Sequence, residues 1–347
     1  MRQCQPRSGL SGVKTRISRR EFVAGAAAIA GIGLRLGQGR SIASESSVDI
    51  PRRPFGSTGV EVSMVGFGGG SRFFLPVPDD EQGAELVRRA IDRGIRFIET
   101  GANYGDKNES EVRIGIAMKT HRARVFLETK VDARDYEGAM REMERSLKLL
   151  QTDHLDLVLH HNLSRAAEID RLMSDQGADR AIRKMMDQKV VGFRGFSCHS
   201  PQLLLEGIKR IEPQAIQVIA NATRVPDVES EVLPLAQARG IAVIVMKSCG
   251  KGYFLEHNFT KPDRIDQYGP PAGVFEKKGL PTAREYIHYA LSLRVATVVI
   301  GIDSLETLDA VMKDVSGFRP LAAASMKSIS ESAQVFKTTG FWIPGRG

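Results

Sequence analysis

A carboxylate, a phenol, an ammonium and an imidazole are together able to deliver a proton to a carbonyl oxygen, and Glu99, Tyr104, Lys130 and His161 supply that set here. A phenol with an ordinary pKa of about 10 is a slow acid at neutral pH. A neighbouring ammonium favours the phenolate and lowers that value, while a carboxylate within reach keeps the ammonium charged and oriented. An imidazole N–H can hold the carbonyl oxygen beside the phenol. The four residues make a complete kit for protonating a carbonyl that has accepted a hydride. Singly, each has an ordinary structural use: buried Glu–Lys pairs brace cores, and strand-end histidines satisfy core hydrogen bonds.

Three of the four close short apolar runs. Glu99 lies in RFIETG (96–101), Lys130 in VFLETKV (125–131) and His161 in LDLVLHHN (155–162); Tyr104 follows in the glycine-rich turn of FIETGANYGDKNESE. MVGFGG (64–69), VGFRGFS (191–197), AIQVIAN (215–221), IAVIVMK (241–247) and TVVIGI (297–302) continue the series. Between them EQGAELVRRAIDRG, AMREMERSLKLL, ADRAIRKMMDQK and TAREYIHYALSL carry apolar residues at helical spacing. Ser200-Pro201 and Ser304 read as helix starts, Gly94 and Gly240 as helix ends. Eight strand–helix repeats predict an α/β fold, a (β/α)8 TIM barrel. An open doubly wound sheet would need a glycine fingerprint after its first strand, and GFGGGSRFF lacks the GxGxxG spacing. RRPFGSTGVEVS reads as an N-terminal hairpin around Ser57-Thr58-Gly59, placed to plug the barrel floor. Two long loops, one after strand 7 (250–280) and the C-terminal tail with Trp342, read as covers of the pocket.

Strand alternation sorts the side chains. If Phe97 and Glu99 face the barrel interior, then Phe126, Glu128 and Lys130 do so on the next strand, and Leu157, Leu159 and His161 on the one after. Reacting groups of such barrels come from the C-terminal strand ends, so Glu99, Lys130 and His161 form a polar ring above apolar layers, with Tyr104 beside it.

The 347 residues, 42% of them apolar, suffice for a large core, and the net charge is +8. Up to Ala43, eight basic residues stand against Glu21 alone, which accounts for all but one unit of that charge. The near-neutral body has no basic face for nucleic acid. The leader ISRREFVAGAAAIAGIGL, with Arg19 and Arg20 before an Ala/Gly-rich apolar run, resembles a twin-arginine export signal with a cleavage site near Ser41-Ile42-Ala43. Its apolar run is too short to span a membrane and ends at Arg35. The expected organisation is a signal over 1–43 and one barrel over 44–347, engaged by the Tat machinery and exported to the periplasm or beyond. Cys4 falls in the leader; Cys198 and Cys249, far apart and without CxxC spacing, read as buried thiols rather than a disulfide.

Four ordered stretches resemble the aldo-keto reductase superfamily over roughly residues 52–315. FIETGANYGDKNESE is similar to its F-D-T-A-x-x-Y-G-x-x-x-S-E, ETKV to its T-K strand end, SLKLLQTDHLDLVLHH to its S-L-x-x-L-x-x-D-x-x-D-x-x-x-x-H, and KVVGFRGFSCHS to its G-x-S-N or G-x-S-x-H strand. The resemblance implies a barrel that binds NAD(P)(H) in extended form and reduces an aldehyde, ketone or sugar. Tyr104 would be the acid, Lys130 its tuning partner and His161 the group orienting the carbonyl. Ser197 and Gln217 match positions that hold the carboxamide, and Met246 the position that stacks on the nicotinamide. Ser248, Gly250 and Lys251 in SCGKG suit pyrophosphate contact, and Gly301 and Ser304 complete the set at the eighth strand end.

Three departures qualify that picture. Glu99 replaces the family's aspartate, extending the carboxylate by one methylene, and Glu128 is placed to compete for the same ammonium. Asp303 stands where a basic residue would grip a 2′-phosphate and Val311 where an Asn would reach adenine, which favours NAD over NADP. Export sends the protein where free nicotinamide cofactors are scarce. A non-catalytic ligand-binding or regulatory barrel is therefore the alternative reading. A metal-dependent isomerase would draw on Glu99, Glu128 and His161, with Lys130 opposing the cation.

Overall fold

The computed structural model of the chain describes residues 50–223, 227–252, 254 and 276–339. The leader, most of the insert after the seventh barrel strand and the Trp342 tail lie outside the described residues. Two short antiparallel strands, β1 (Arg52–Pro54) and β2 (Glu61–Ser63), come first. Their turn is closed by the Thr58 hydroxyl donating to the Phe55 carbonyl at 2.6 Å. The hairpin carries Phe55 and Val62, both fully buried, into the lower end of the barrel. There the Phe55 ring packs 4.8 Å from that of Phe126 and 6.1 Å from that of Phe97, so the floor is plugged as the turn signal implied.

Eight parallel strands follow: β3 (Val65–Gly68), β4 (Phe97–Glu99), β5 (Phe126–Val131), β6 (Leu155–Leu163), β7 (Val191–Cys198), β8 (Ala215–Ile219), β9 (Ala242–Met246) and β10 (Thr297–Gly301). Each pairs with its sequence neighbour, and β10 closes on β3 with Val298 opposite Val65. The described helices are α1 (Ser71–Phe74), α2 (Asp80–Asp92), α3 (Glu109–His121), α4 (Tyr136–Leu149), α5 (Ala166–Met173), α6 (Ala178–Asp187), α7 (Pro201–Ile211), α8 (Leu233–Ala238), α9 (Ala283–Ser292), α10 (Leu305–Val315) and α11 (Ala323–Ala333). The expected caps are in place: Ser200 accepts from Leu203 N ahead of α7, and Ser304 from Thr307 N ahead of α10. Gly94 and Gly240, both at positive φ, end their helices. Among the described residues no helix is long and apolar enough to cross a membrane.

Two apolar cores follow from the period of two along each strand. Phe97, Phe126, Leu157, Leu159, Ala215 and Ile244 fill the barrel interior with Phe55. Val65, Phe67, Ile98, Leu127, Val158 and Val218 face the opposite way into the helix layer. The β4–β5 register sets Phe97 opposite Phe126 and Glu99 opposite Glu128. Lys130 pairs with Leu159 across β5–β6. The interior of these strands is thus apolar below and charged above.

Candidate active site

At the C-terminal mouth of the barrel lies a cavity of about 610 Å³. Glu99, Tyr104, Lys130 and His161 all line it, so the four residues expected to act together are brought to one place. Glu99 is held from several sides. Gly69 N donates to its Oε2 at 3.1 Å, the Tyr104 hydroxyl to its Oε1 at 3.0 Å, and Gln217 Nε2 to the same oxygen at 3.4 Å. Gly69 is required there: a Cβ would sit 2.5 Å from the Glu99 carbonyl and 2.6 Å from Ser110 Oγ. Lys130, fully buried, donates to Glu99 Oε1 and, at 2.8 Å, to the Thr100 carbonyl. Its ammonium also lies 2.9 Å from Glu128 Oε1 and 5.0 Å from the centre of the Tyr104 ring.

The Tyr104 phenol differs from the expectation of a simply acidified group. Burial, then the Glu99 charge, pushes its pKa well above the ordinary value, outweighing the Lys130 ammonium that pulls the other way. The Glu99 carboxylate reaches both the ammonium and the phenol hydroxyl, so the phenol's proton is engaged by a carboxylate. Lys130 itself stays firmly charged, because the attraction of Glu128 and Glu99 exceeds the cost of its burial.

His161 meets the Tyr104 ring edge-on at 5.7 Å between centres. Its Nδ1 is 2.6 Å from Asp132 Oδ1, and Asn103 holds the other Asp132 oxygen at 2.7 Å. That contact makes Nδ1 the protonated nitrogen and leaves Nε2 for the cavity. Asp132, just past the end of β5, escaped the sequence reading, because a loop aspartate carries no signal of its partner.

Of the residues assigned to cofactor binding, Ser197, Gln217, Met246, Ser248, Lys251 and Gly301 line the cavity. Gly250 and Ser304 stand outside its lining. Gly250 is packed beneath Phe254, whose ring a Cβ would meet at 2.7 Å, and the Ser304 hydroxyl is occupied capping α10. Asp303 is engaged as well: Arg72 donates to its Oδ2 at 2.6 Å and Thr307 to its Oδ1 at 2.6 Å. The expected free carboxylate is thus half of an ion pair between the loop after β3 and the end of β10.

Three basic residues of the cavity were given no role from the sequence: Arg72, His199 and Lys247. Lys247 Nζ lies 2.9 Å from His199 Nε2. Burial, with Lys251 nearby, lowers the Lys247 ammonium to about 7, and burial with Lys247 lowers His199 to about 3. A neutral imidazole thus accepts from the Lys247 amino group. For Lys247 the signal available was its position directly after a strand end, and for His199 also the G-x-S-x-H pattern of its strand. Cys198 and Cys249 are free thiols pushed up by burial to about 11 and about 12, so neither is a ready nucleophile.

A closed parallel barrel with titratable groups gathered at its C-terminal mouth defines an enzyme-type α/β barrel. Residues 65–334 match the model of the aldo/keto reductase family. The chain belongs to that family. It is 26% identical over 213 residues to "Probable aldo-keto reductase 1" of Glycine max, spanning 57% of this chain and 59% of that protein. It is 24% identical to "L-galactose dehydrogenase" of Arabidopsis thaliana, over 75% of this chain and 86% of that one. Among solved structures, the holo form of aldo-keto reductase AKR11C1 from Bacillus halodurans superposes with a TM-score of 0.68 at 23% identity, covering 82% of this chain and 97% of that one.

Proposed function

We propose that the protein is a nicotinamide-dependent oxidoreductase interconverting a small carbonyl (aldehyde, ketone or sugar) and its alcohol, with Tyr104 as general acid/base. The observation that carries this reading is the single cavity lined by Glu99, Tyr104, Lys130 and His161 together with Ser197, Gln217 and Met246.

The residues fit an NAD(P)(H) molecule. Gln217 Oε1 is buried without a hydrogen-bond partner, an acceptor suited to a carboxamide N–H, and Ser197 Oγ accepts from Asn162 N while its own proton stays available. Met246 offers an apolar face, and Ser248, Lys251 and Lys247 with His199 supply donors for phosphate oxygens. A bound dihydronicotinamide supplies a hydride to the carbonyl carbon. Tyr104 supplies the proton to the carbonyl oxygen, exchanging its hydrogen bond to Glu99 for one to the substrate. An alkoxide is a stronger base than a phenolate, so this transfer runs downhill even from a phenol above its ordinary pKa. Carbonyl reduction draws on the neutral phenol that the site holds, and alcohol oxidation on the scarcer phenolate. His161, braced by Asp132, faces the oxygen with Nε2.

NAD(H) is favoured over NADP(H), because a 2′-phosphate at the eighth strand end would have to break the Arg72–Asp303 pair to gain a cation. The twin-arginine leader supports action after export, with the dinucleotide carried inside the folded barrel.

The test is denaturation of the purified mature protein with assay for released nicotinamide, followed by NADH and NADPH oxidation with aldehydes, ketones and sugars, Tyr104→Phe serving as control. No released dinucleotide and no spectral change with either coenzyme would sink this reading. The raised Tyr104 phenol favours the second reading, a ligand-binding barrel without turnover, in which Tyr104→Phe leaves ligand affinity unchanged.

A further inference from the structure

Glu128 takes no part in the proton transfer above, yet it is a fully buried carboxylate inside the barrel, opposite Glu99 in the β4–β5 register. Its Oε1 lies 2.9 Å from Lys130 Nζ, while neither of its oxygens has an aligned hydrogen bond. The ammonium's aligned donors go instead to Glu99 and the Thr100 carbonyl. Two buried carboxylates therefore share one ammonium, and Glu128 is the poorly satisfied member. A buried carboxylate so placed is costly when ionised, and burial raises Glu128 to about 7.

We propose that Glu128 is a positioning residue for the proton donor: whether it carries a proton sets the net charge of the Glu99–Lys130–Glu128 trio, and through it the acidity of Tyr104. This rests on the reading of Tyr104 as the acid. With Glu128 ionised, two carboxylates outweigh one ammonium, and the field at the phenol opposes a phenolate. With Glu128 protonated, Glu99 and Lys130 balance, and the attraction of the ammonium for the phenolate is no longer cancelled. The charged groups that face Glu128 are Lys130 on its own strand, Glu99 on β4 and Tyr104 on the loop beyond. The β6 side presents apolar Leu157 and Leu159, then His161 with Asp132, and β8 contributes neutral Gln217.

Because the trio titrates as one unit, the decisive measurement follows the phenol itself, on the full mature chain without coenzyme. Tyrosine labelled with ¹³C at Cζ is observed by NMR at one fixed alkaline pH in wild type and Glu128→Gln, with Tyr104→Phe assigning the signal in each background. The expected result is at least about a tenfold larger phenolate fraction at Tyr104 in Glu128→Gln, a shift of roughly one pH unit or more. Equal fractions in the two backgrounds, zero included, overturn the proposal. Glu128→Met, also neutral and of similar size, gives the same reading if Glu128→Gln fails to fold. His161 is common to all variants and cancels in the comparison. In turnover at saturating coenzyme, wild-type carbonyl reduction should fall as pH rises through about 7, and Glu128→Gln should flatten that fall while raising the rate on the alkaline side. An unchanged profile also overturns the proposal. A protein that binds no nicotinamide still reports on Tyr104 by NMR, so this inference and the functional reading can fail separately.

Discussion

At the floor of the barrel Phe55, Phe97, Phe126 and Phe193 lie ring against ring, with centroids 4.8–6.3 Å apart. One or two side-chain steps further along the same strands, Glu99, Glu128 and Lys130 occupy equally buried positions with charge in place of rings. The floor is held by non-directional apolar burial, which tolerates small displacements at modest cost. The mouth is held by an ion pair, backbone donors and a phenol hydroxyl, each of which works only at its distance. Stability is thus assigned to one end of a strand and reactivity to the other, and substitutions at the two ends should be distinguishable by experiment.

The largest expected effect is at the mouth. Tyr104→Phe should lower kcat for carbonyl reduction by roughly 10²–10⁴-fold with the unfolding midpoint unchanged. Loss of stability in place of rate would erase the division between the two ends. At the floor, Phe55→Ala should cost about 3–5 kcal/mol in denaturant unfolding, with kcat/KM preserved while the barrel is folded. A variant that is stable but inactive would show that the hairpin reaches the chemistry.

Asp132→Asn separates orientation from charge at His161. A drop of at least about tenfold in kcat/KM is expected. An unchanged kcat/KM would mean that Asp132 only braces the loop. On the basic side of the mouth, Lys247 is lowered to about 7 when no anion sits on it. A phosphate group bound there raises that value, so binding takes up a proton, and dinucleotide affinity should weaken as pH climbs above about 7. Lys247→Met should remove this dependence and weaken binding about tenfold, as calorimetry would show. The smallest effect is expected of Asp303→Ala. Releasing Arg72 should improve NADP(H) relative to NAD(H) by no more than about fivefold, in line with the modest worth of ion pairs that water still reaches.

The barrel and its polar ring were legible because both rest on a period of two. FIETG and FLETKV place phenylalanine, glutamate and lysine on alternate positions, and strand pleating turns them inward together. Competition of Glu128 for Lys130 followed from the same alternation and is present at 2.9 Å. What escaped were contacts between loops and the balance of opposing charges. Arg72 and Asp303 are 231 positions apart, and no local pattern joins them. Whether Tyr104 rises or falls depends on burial and on which oxygen its hydroxyl meets, neither of which a residue type encodes. Ser304 shows what local pattern does carry: read as a helix start, it caps α10.

The pairing of Glu99 with Glu128 has one more consequence. Sliding β5 by a single residue against β4 would turn Lys130 out among the helices and bring Thr129 inward in its place. The same slip would strip the aromatic floor of Phe126. A chain that has threaded this segment wrongly therefore forfeits its core and its chemistry at once, so the strand acts as a proofreader of its own folding: a protein with this site is also one assembled in the correct register.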